Sequence, residues 1–131
     1  MSEPAGIDTN VLVRLLLEDD PDQTRKGRAL LAQISPIRIN PVVLAELFWI
    51  LRSSLKLERA AISDRLRRLL HDDAVLVVDG AAARAALTDY ASGLGDFSDR
   101  LIARINEAHG ASQTFTFDRK AARHPPLALL P

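Results

Sequence analysis

Four short apolar segments, each separated from the next by stretches with helical patterning, constrain this chain more than any other feature. Ala5 to Ile7, Ile37 to Ile39, Ala74 to Val78 and Gln113 to Phe117 are too short for helices. Strands that alternate with helices predict an α/β fold with a short, mostly parallel sheet. Behind the first segment, Val11, Leu12 and Leu15 to Leu17 start a helix. Asp20-Pro21-Asp22 opens another, with Asp20 as cap, Pro21 in the first turn, and Ala29, Leu30 and Ile34 as its apolar stripe. Asn40-Pro41 starts a helix reaching to about Leu55. It is apolar on nearly every side and is expected to be central and buried.

Further along, Glu58 to Leu70 carries Ile62, Leu66, Leu69 and Leu70 on one face and Arg65, Arg67 and Arg68 on others. An alanine-rich helix covers about Ala81 to Ser92, Gly93-Leu94-Gly95 breaks it, and a last helix begins near Asp96. The tail from Pro125 to Leu130 either adds an edge strand or packs on the surface. No repeat, linker or low-complexity stretch interrupts the 131 residues, so a single domain over 1–131 is expected.

Composition narrows the chemistry. Seventeen basic residues balance seventeen acidic ones, so net charge announces no nucleic-acid partner, although a local basic patch remains compatible with it. Cysteine is absent, which excludes disulfides and thiolate metal sites and suits a reducing compartment. Met-Ser-Glu-Pro-Ala-Gly does not read as a secretion signal. The longest apolar run, Val42 to Leu51, contains Glu46 and is too short to cross a membrane. A cytoplasmic protein with no membrane partner is the expectation.

Most carboxylates read as solvated loop residues: Glu18, Asp19, Asp20 and Asp22 in one loop, Asp72 and Asp73 in another. Asp8 and Asp118 differ because each directly follows a strand candidate, and parallel sheets bind ligands beyond the carboxyl ends of their strands. A helix cap is the plain alternative for Asp8. Glu46 is the only charged residue between Val42 and Leu51. On a helix expected to be buried, its carboxylate needs an ion pair, a proton or a metal. Arg52, six positions on, is a poor local partner.

Asp96 and Asp99 open the last helix, where a cap and a favourable helix dipole already account for both. Phe97, Leu101, Ile102 and Ile105 form its expected buried face and leave Asp99 near the edge of a cleft. Acids gathered at one end of a sheet raise one another's pKa, and a hard divalent cation resolves that conflict. Oxygen-only ligands favour Mg²⁺ or Mn²⁺. His71, His109 and His124 lack zinc spacing and read as surface or capping residues.

Gly6-Ile7-Asp8-Thr9-Asn10-Val11-Leu12 resembles the opening motif of PIN domains. Val42 to Leu47 is similar to their glutamate-bearing helix, Asp96 to Ala103 to their third motif, and Thr116-Phe117-Asp118 to their fourth. The resemblance spans almost the whole chain and lies closest to the VapC-like toxins of bacterial toxin–antitoxin pairs. It implies a PIN-like α/β/α sandwich and a Mg²⁺-dependent ribonuclease. The acids it implies for metal and catalysis are Asp8, Glu46, Asp99 and Asp118, with Asp96 either a further ligand or a cap. Thr9 and Asn10 match polar residues that buttress the first Asp, and Thr116 a polar neighbour of the fourth. Arg100 and Arg104 stand where many relatives have small residues. With Arg119 and Lys120 they are candidate RNA contacts.

The implied reaction is phosphodiester hydrolysis on one or two Mg²⁺ ions, with Asp118 or Glu46 open as the group that orients water. The implied partners are an RNA substrate, a cognate antitoxin and a second copy of the chain. Two other readings stand beside this one. A phosphatase using Asp8 as nucleophile would want an acid two residues later, where Asn10 stands. A catalytically silent interaction module would have no reason to keep the acids.

Overall fold

A computed structural model describes residues 5–17, 21–34 and 36–131. The short apolar segments form strands and the patterned stretches form helices. Strand β1 (Ala5–Gly6) leads into α1 (Thr9–Leu17) and α2 (Pro21–Ile34). Strand β2 (Ile37–Ile39) leads into α3 (Pro41–Trp49), a π-helical turn (Ile50–Ser54) and α4 (Arg59–Leu70). Then come β3 (Val75–Val77), α5 (Gly80–Ala91), α6 (Phe97–Ala108), β4 (Thr114–Thr116), a short 3₁₀ helix (Ala121–Arg123) and β5 (Leu127–Leu129). The expected Asp20 cap lies outside the described residues.

All strand pairing is parallel, but it falls in two sheets among the described residues: β1-β2-β3, and β4 beside β5. Ile37 pairs with Ala5 and with Val75, and Thr114 pairs with Leu127. The C-terminal tail is therefore a strand. In β2, Ile37 and Ile39 turn inward while Arg38 faces out, the alternation of a strand covered on one face.

Helix α3 starts as its sequence dictates. The Asn40 side chain accepts the Val43 N–H at 3.1 Å, and Pro41 occupies the first turn, where its missing N–H has no helical partner to lose. Leu44, Leu47 and Phe48 are buried, but Val42 is 64% exposed and Trp49 46%. Glu46 lies on that same open stripe and is itself exposed. The expectation of a helix buried on every side is thus corrected, and the burial argument for Glu46 falls with it. Helix α2 corrects a second expectation. Ala29 and Leu30 face solvent, while Leu31 and Ile34 pack against the core.

The core joins α3 to α5 and α6 through rings. Phe48 meets Tyr90 edge-on at 5.2 Å and Phe97 at 5.8 Å, and all three are buried. Such pairs stabilise by about 0.5–1.5 kcal/mol each beyond their buried area. They lock the end of α3 against the start of α6, where Asp96 and Asp99 stand. No helix of the described residues is long and apolar enough to cross a membrane.

Candidate active site

At the start of α6, the Asp96 side chain accepts the Asp99 N–H at 2.9 Å, so Asp96 is the helix cap. Its other oxygen lies 3.6 Å from the Arg52 guanidinium. Asp99 sits one turn inside the helix, half-buried. Burial first, then the nearby charges of Asp96 and Asp118, push its carboxyl above the ordinary range.

Asp118 follows β4. Its N–H donates to Thr116 Oγ1 at 3.0 Å, and its Oδ1 accepts the N–H groups of Lys120 and Ala121. Thr116 thus fixes the Asp118 backbone, and the N–H groups of Lys120 and Ala121 fix its carboxylate. Asp96, Asp99 and Asp118 line one cleft of about 400 Å³, together with Arg52, Arg59, Lys120, Arg123 and His124. Gly93 and Gly95 complete its wall. Both take left-handed φ values of 86° and 125°, which a side chain at either position would strain. The Gly95 carbonyl accepts a hydrogen bond from Arg59, which also donates to the Tyr90 carbonyl and stacks over the Tyr90 ring.

Asp8 and Glu46 are not among the residues that line that cleft. Asp8 Oδ1 accepts the Val11 N–H at 3.1 Å, the bond of a helix cap. Buried Thr9 donates its hydroxyl to Glu46 Oε2 at 2.9 Å, so it supports Glu46 and not Asp8. Asn10 is exposed beside Val11 and Arg14. Of the four expected acids, Asp99 and Asp118 line the cleft, while outside its lining Asp8 caps α1 and Glu46 is bonded to Thr9. Helix α3 carries Glu46, and the turn after it carries Arg52, which lines the cleft.

Two of the expected RNA contacts are corrected. Arg100 is 1% exposed: its Nε donates to Asp89 Oδ2 at 3.0 Å, and its other nitrogens to the His124 and Pro125 carbonyls. Arg104 holds the same Asp89 through two bonds of 2.7 and 2.9 Å and also reaches Glu107. Both guanidinium groups are consumed by the fold. Of the other two, Lys120 lines the cleft and Arg119 is exposed beside it in sequence. The sequence reading missed Arg52, Arg59 and Arg123. They come from three separate elements and carry no local motif. The histidines behave as read at two positions: His71 bonds the Arg67 carbonyl at the end of α4, and His109 bonds Asp79 at the end of α6. His124 instead lines the cleft.

Among the described residues, no three His, Asp or Glu side chains stand close enough to form a closed metal cage. The cleft still fits a hard cation by its donors. Its three carboxylates offer hard oxygen ligands, and the Asp99 carboxyl is pushed up by burial and then by the charges of Asp96 and Asp118, which a cation would offset. Mg²⁺ takes one or two carboxylates and completes its shell with water and substrate phosphate, so a closed cage is not required. Asp99 and Asp118 are the residues that could hold it.

The PIN domain family matches the chain over residues 6–125, a span that contains every acid discussed above. The chain belongs to the PIN domain family. No curated protein and no solved structure matches it. PIN domains are usually nucleases, so membership supports a nuclease-type hydrolase. The mixed helices and short parallel strands are those of an α/β/α PIN fold.

Proposed function

We propose that this PIN domain is a Mg²⁺-dependent endoribonuclease that hydrolyses RNA phosphodiester bonds, with Mn²⁺ able to substitute. The observation that carries the reading is the single cleft in which Asp96, Asp99 and Asp118 face Arg52, Arg59, Lys120 and Arg123. Acids alone would repel a phosphate, and cations alone would bind it without activating water. The cations draw the polyanion in and hold its phosphates. Asp99 and Asp118 would hold Mg²⁺, and Asp96 fixes the start of α6 on which Asp99 is displayed. When bound, Mg²⁺ lowers the pKa of a coordinated water and offsets charge on the departing oxygen. The attacking water would lose a proton as its oxygen bonds to phosphorus, the bond to the leaving ribose oxygen would break, and that oxygen would take up a proton, so that water is divided between the two products. Asp8 and Glu46 are proposed as further site acids, brought to the substrate along the Thr9–Glu46 side.

By the same reading the protein is the cytoplasmic toxin of a toxin–antitoxin pair, works as a homodimer and is held silent by its cognate antitoxin. The apolar groove between α3 and α6 supports a self-associating face. Purified protein should cleave single-stranded RNA with Mg²⁺ or Mn²⁺ and stop on chelation. Asp118→Asn and Asp99→Asn should each abolish cleavage while circular dichroism stays unchanged. RNA binding without cleavage under every metal condition would leave a silent interaction module in its place.

A further inference from the structure

Trp49 is the only tryptophan in the chain, and almost half of its surface meets solvent. A ring of that size is normally drawn into the core, so a fixed and exposed one calls for an explanation. Its neighbours hold it still. The Arg52 guanidinium lies 5.6 Å from the ring centroid, and the Phe48 ring meets it edge-on at 5.5 Å. Phe48 is itself immobilised in the core. Trp49 is thus a rigid plate backed by a cation.

Its position matters as much as its rigidity. On α3 it stands three residues after Glu46, on the same open stripe. The arginine stacked on it is the one that lines the acidic cleft and approaches Asp96. Through Arg52 the ring adjoins the acidic cleft, whose lining also carries Arg59, Lys120 and Arg123 and does not include Trp49 itself. Cations that follow a phosphate backbone, with an aromatic face next to them, form the recognition pattern of unpaired nucleic-acid strands. Every base offers a π-face, and a base inside a duplex has none to spare.

We infer that Trp49, backed by Arg52, is a stacking subsite for an unpaired nucleobase beside the phosphate held in the cleft. The inference rests on the nuclease reading and deepens it by naming the residue that grips a base of the single-stranded substrate. It selects for strand state and not for base identity, since stacking reads the face of a base and not its edge.

The lone tryptophan supplies its own signal. Full-length protein in chelator is titrated with a labelled single-stranded oligouridylate of about eight nucleotides, a length within ordinary single-strand site sizes. An abasic ribose-phosphate oligomer of equal length and a matched RNA duplex serve as controls. The oligouridylate should quench Trp49 fluorescence, and the two controls should not. Trp49→Ala should raise the dissociation constant about tenfold, with Trp49→Phe recovering most of the loss. Equal quenching by the abasic oligomer, or unchanged affinity in Trp49→Ala, overturns the subsite. So does a loss of self-association in Trp49→Ala by sedimentation, which would assign the ring to a protein interface. Trp49→Ala that binds and cuts RNA normally removes this inference and leaves the nuclease reading standing. Wild-type protein that neither binds nor cuts RNA removes both.

Discussion

Asp96 and Asp99 stand one helical turn apart, and their surroundings differ in kind. Asp96 accepts a backbone N–H and pairs with Arg52, so the fold uses both of its oxygens. Asp99 is pushed up by burial and by two neighbouring acids, so its charge strains the fold and does not support it. Asp99→Asn should therefore abolish RNA cleavage at saturating Mg²⁺ with an unchanged or raised melting temperature. Asp96→Asn keeps a cap-competent side chain and should retain much of the activity, whereas Asp96→Ala should lose about 1 kcal/mol of stability. Parallel cleavage assays and thermal melts of the purified variants check this. An active Asp99→Asn beside a dead Asp96→Asn would exchange their roles. The caps at Asn40 and Asp96 were legible in the sequence because a cap needs only the residues within its own turn. The Thr9–Glu46 bond was not, because it joins residues far apart in the chain. Glu46 misled for a related reason: periodicity records which positions are apolar, and not which side of a helix the rest of the molecule covers.

Between elements, a buried polar tie joins α5, α6 and the segment before β5 through Asp89, Arg100 and Arg104. Asp89 is buried, and Arg100 passes from it to the His124 and Pro125 carbonyls. Burial pushes the Asp89 carboxyl up, but hydrogen bonds from Arg104 and Arg100, and their charges, outweigh it and hold it below its ordinary value of 3.8. A folded pKa below the unfolded one means stability that is present above pH 3.8 and lost as pH falls through the folded value. Asp89→Asn should cost about 3–5 kcal/mol at neutral pH, because it leaves two guanidinium groups facing a lost charge. Denaturant melts of both proteins should converge below pH 3.8, and a gap constant with pH would show that the lost interaction is not ionic. Nothing local marks Asp89, which looks like an ordinary polar position on an alanine-rich helix. The same blindness made Arg100 and Arg104 look like surface cations. The strands were easier. Apolar runs bounded by polar residues marked β2, β3 and β4, while β5 stayed ambiguous because only pairing with β4 makes it a strand.

For the whole molecule, the α/β class followed from alternation alone, but which surfaces stay open depends on how every element is placed. The cationic mouth is one such property, and the groove between α3 and α6 is another. Pro41, Val42 and Ala45 line one wall of it, and Leu101, Ile102 and Ile105 the other. Val42 is 64% exposed and Ile102 54%, so apolar area from two helices lies open side by side. Adjacent apolar side chains left open on two helices offer a surface on which the proposed homodimer could close. Trp49 is not in the groove's lining, so the two surfaces can be tested apart. The homodimer proposed above should close over this groove. Sedimentation velocity should then find wild-type dimer at micromolar concentration. Ile102→Glu should raise the dimer dissociation constant by about thirtyfold, the effect of removing one central contact of about 2 kcal/mol. Because Ile102 already faces solvent, the variant should melt as an isolated wild-type subunit would and still bind single-stranded RNA through its own cleft. A wild type that stays monomeric, or a variant that dimerises unchanged, would move the contact elsewhere. A variant that loses RNA binding along with the dimer would mean that two copies together build the substrate path.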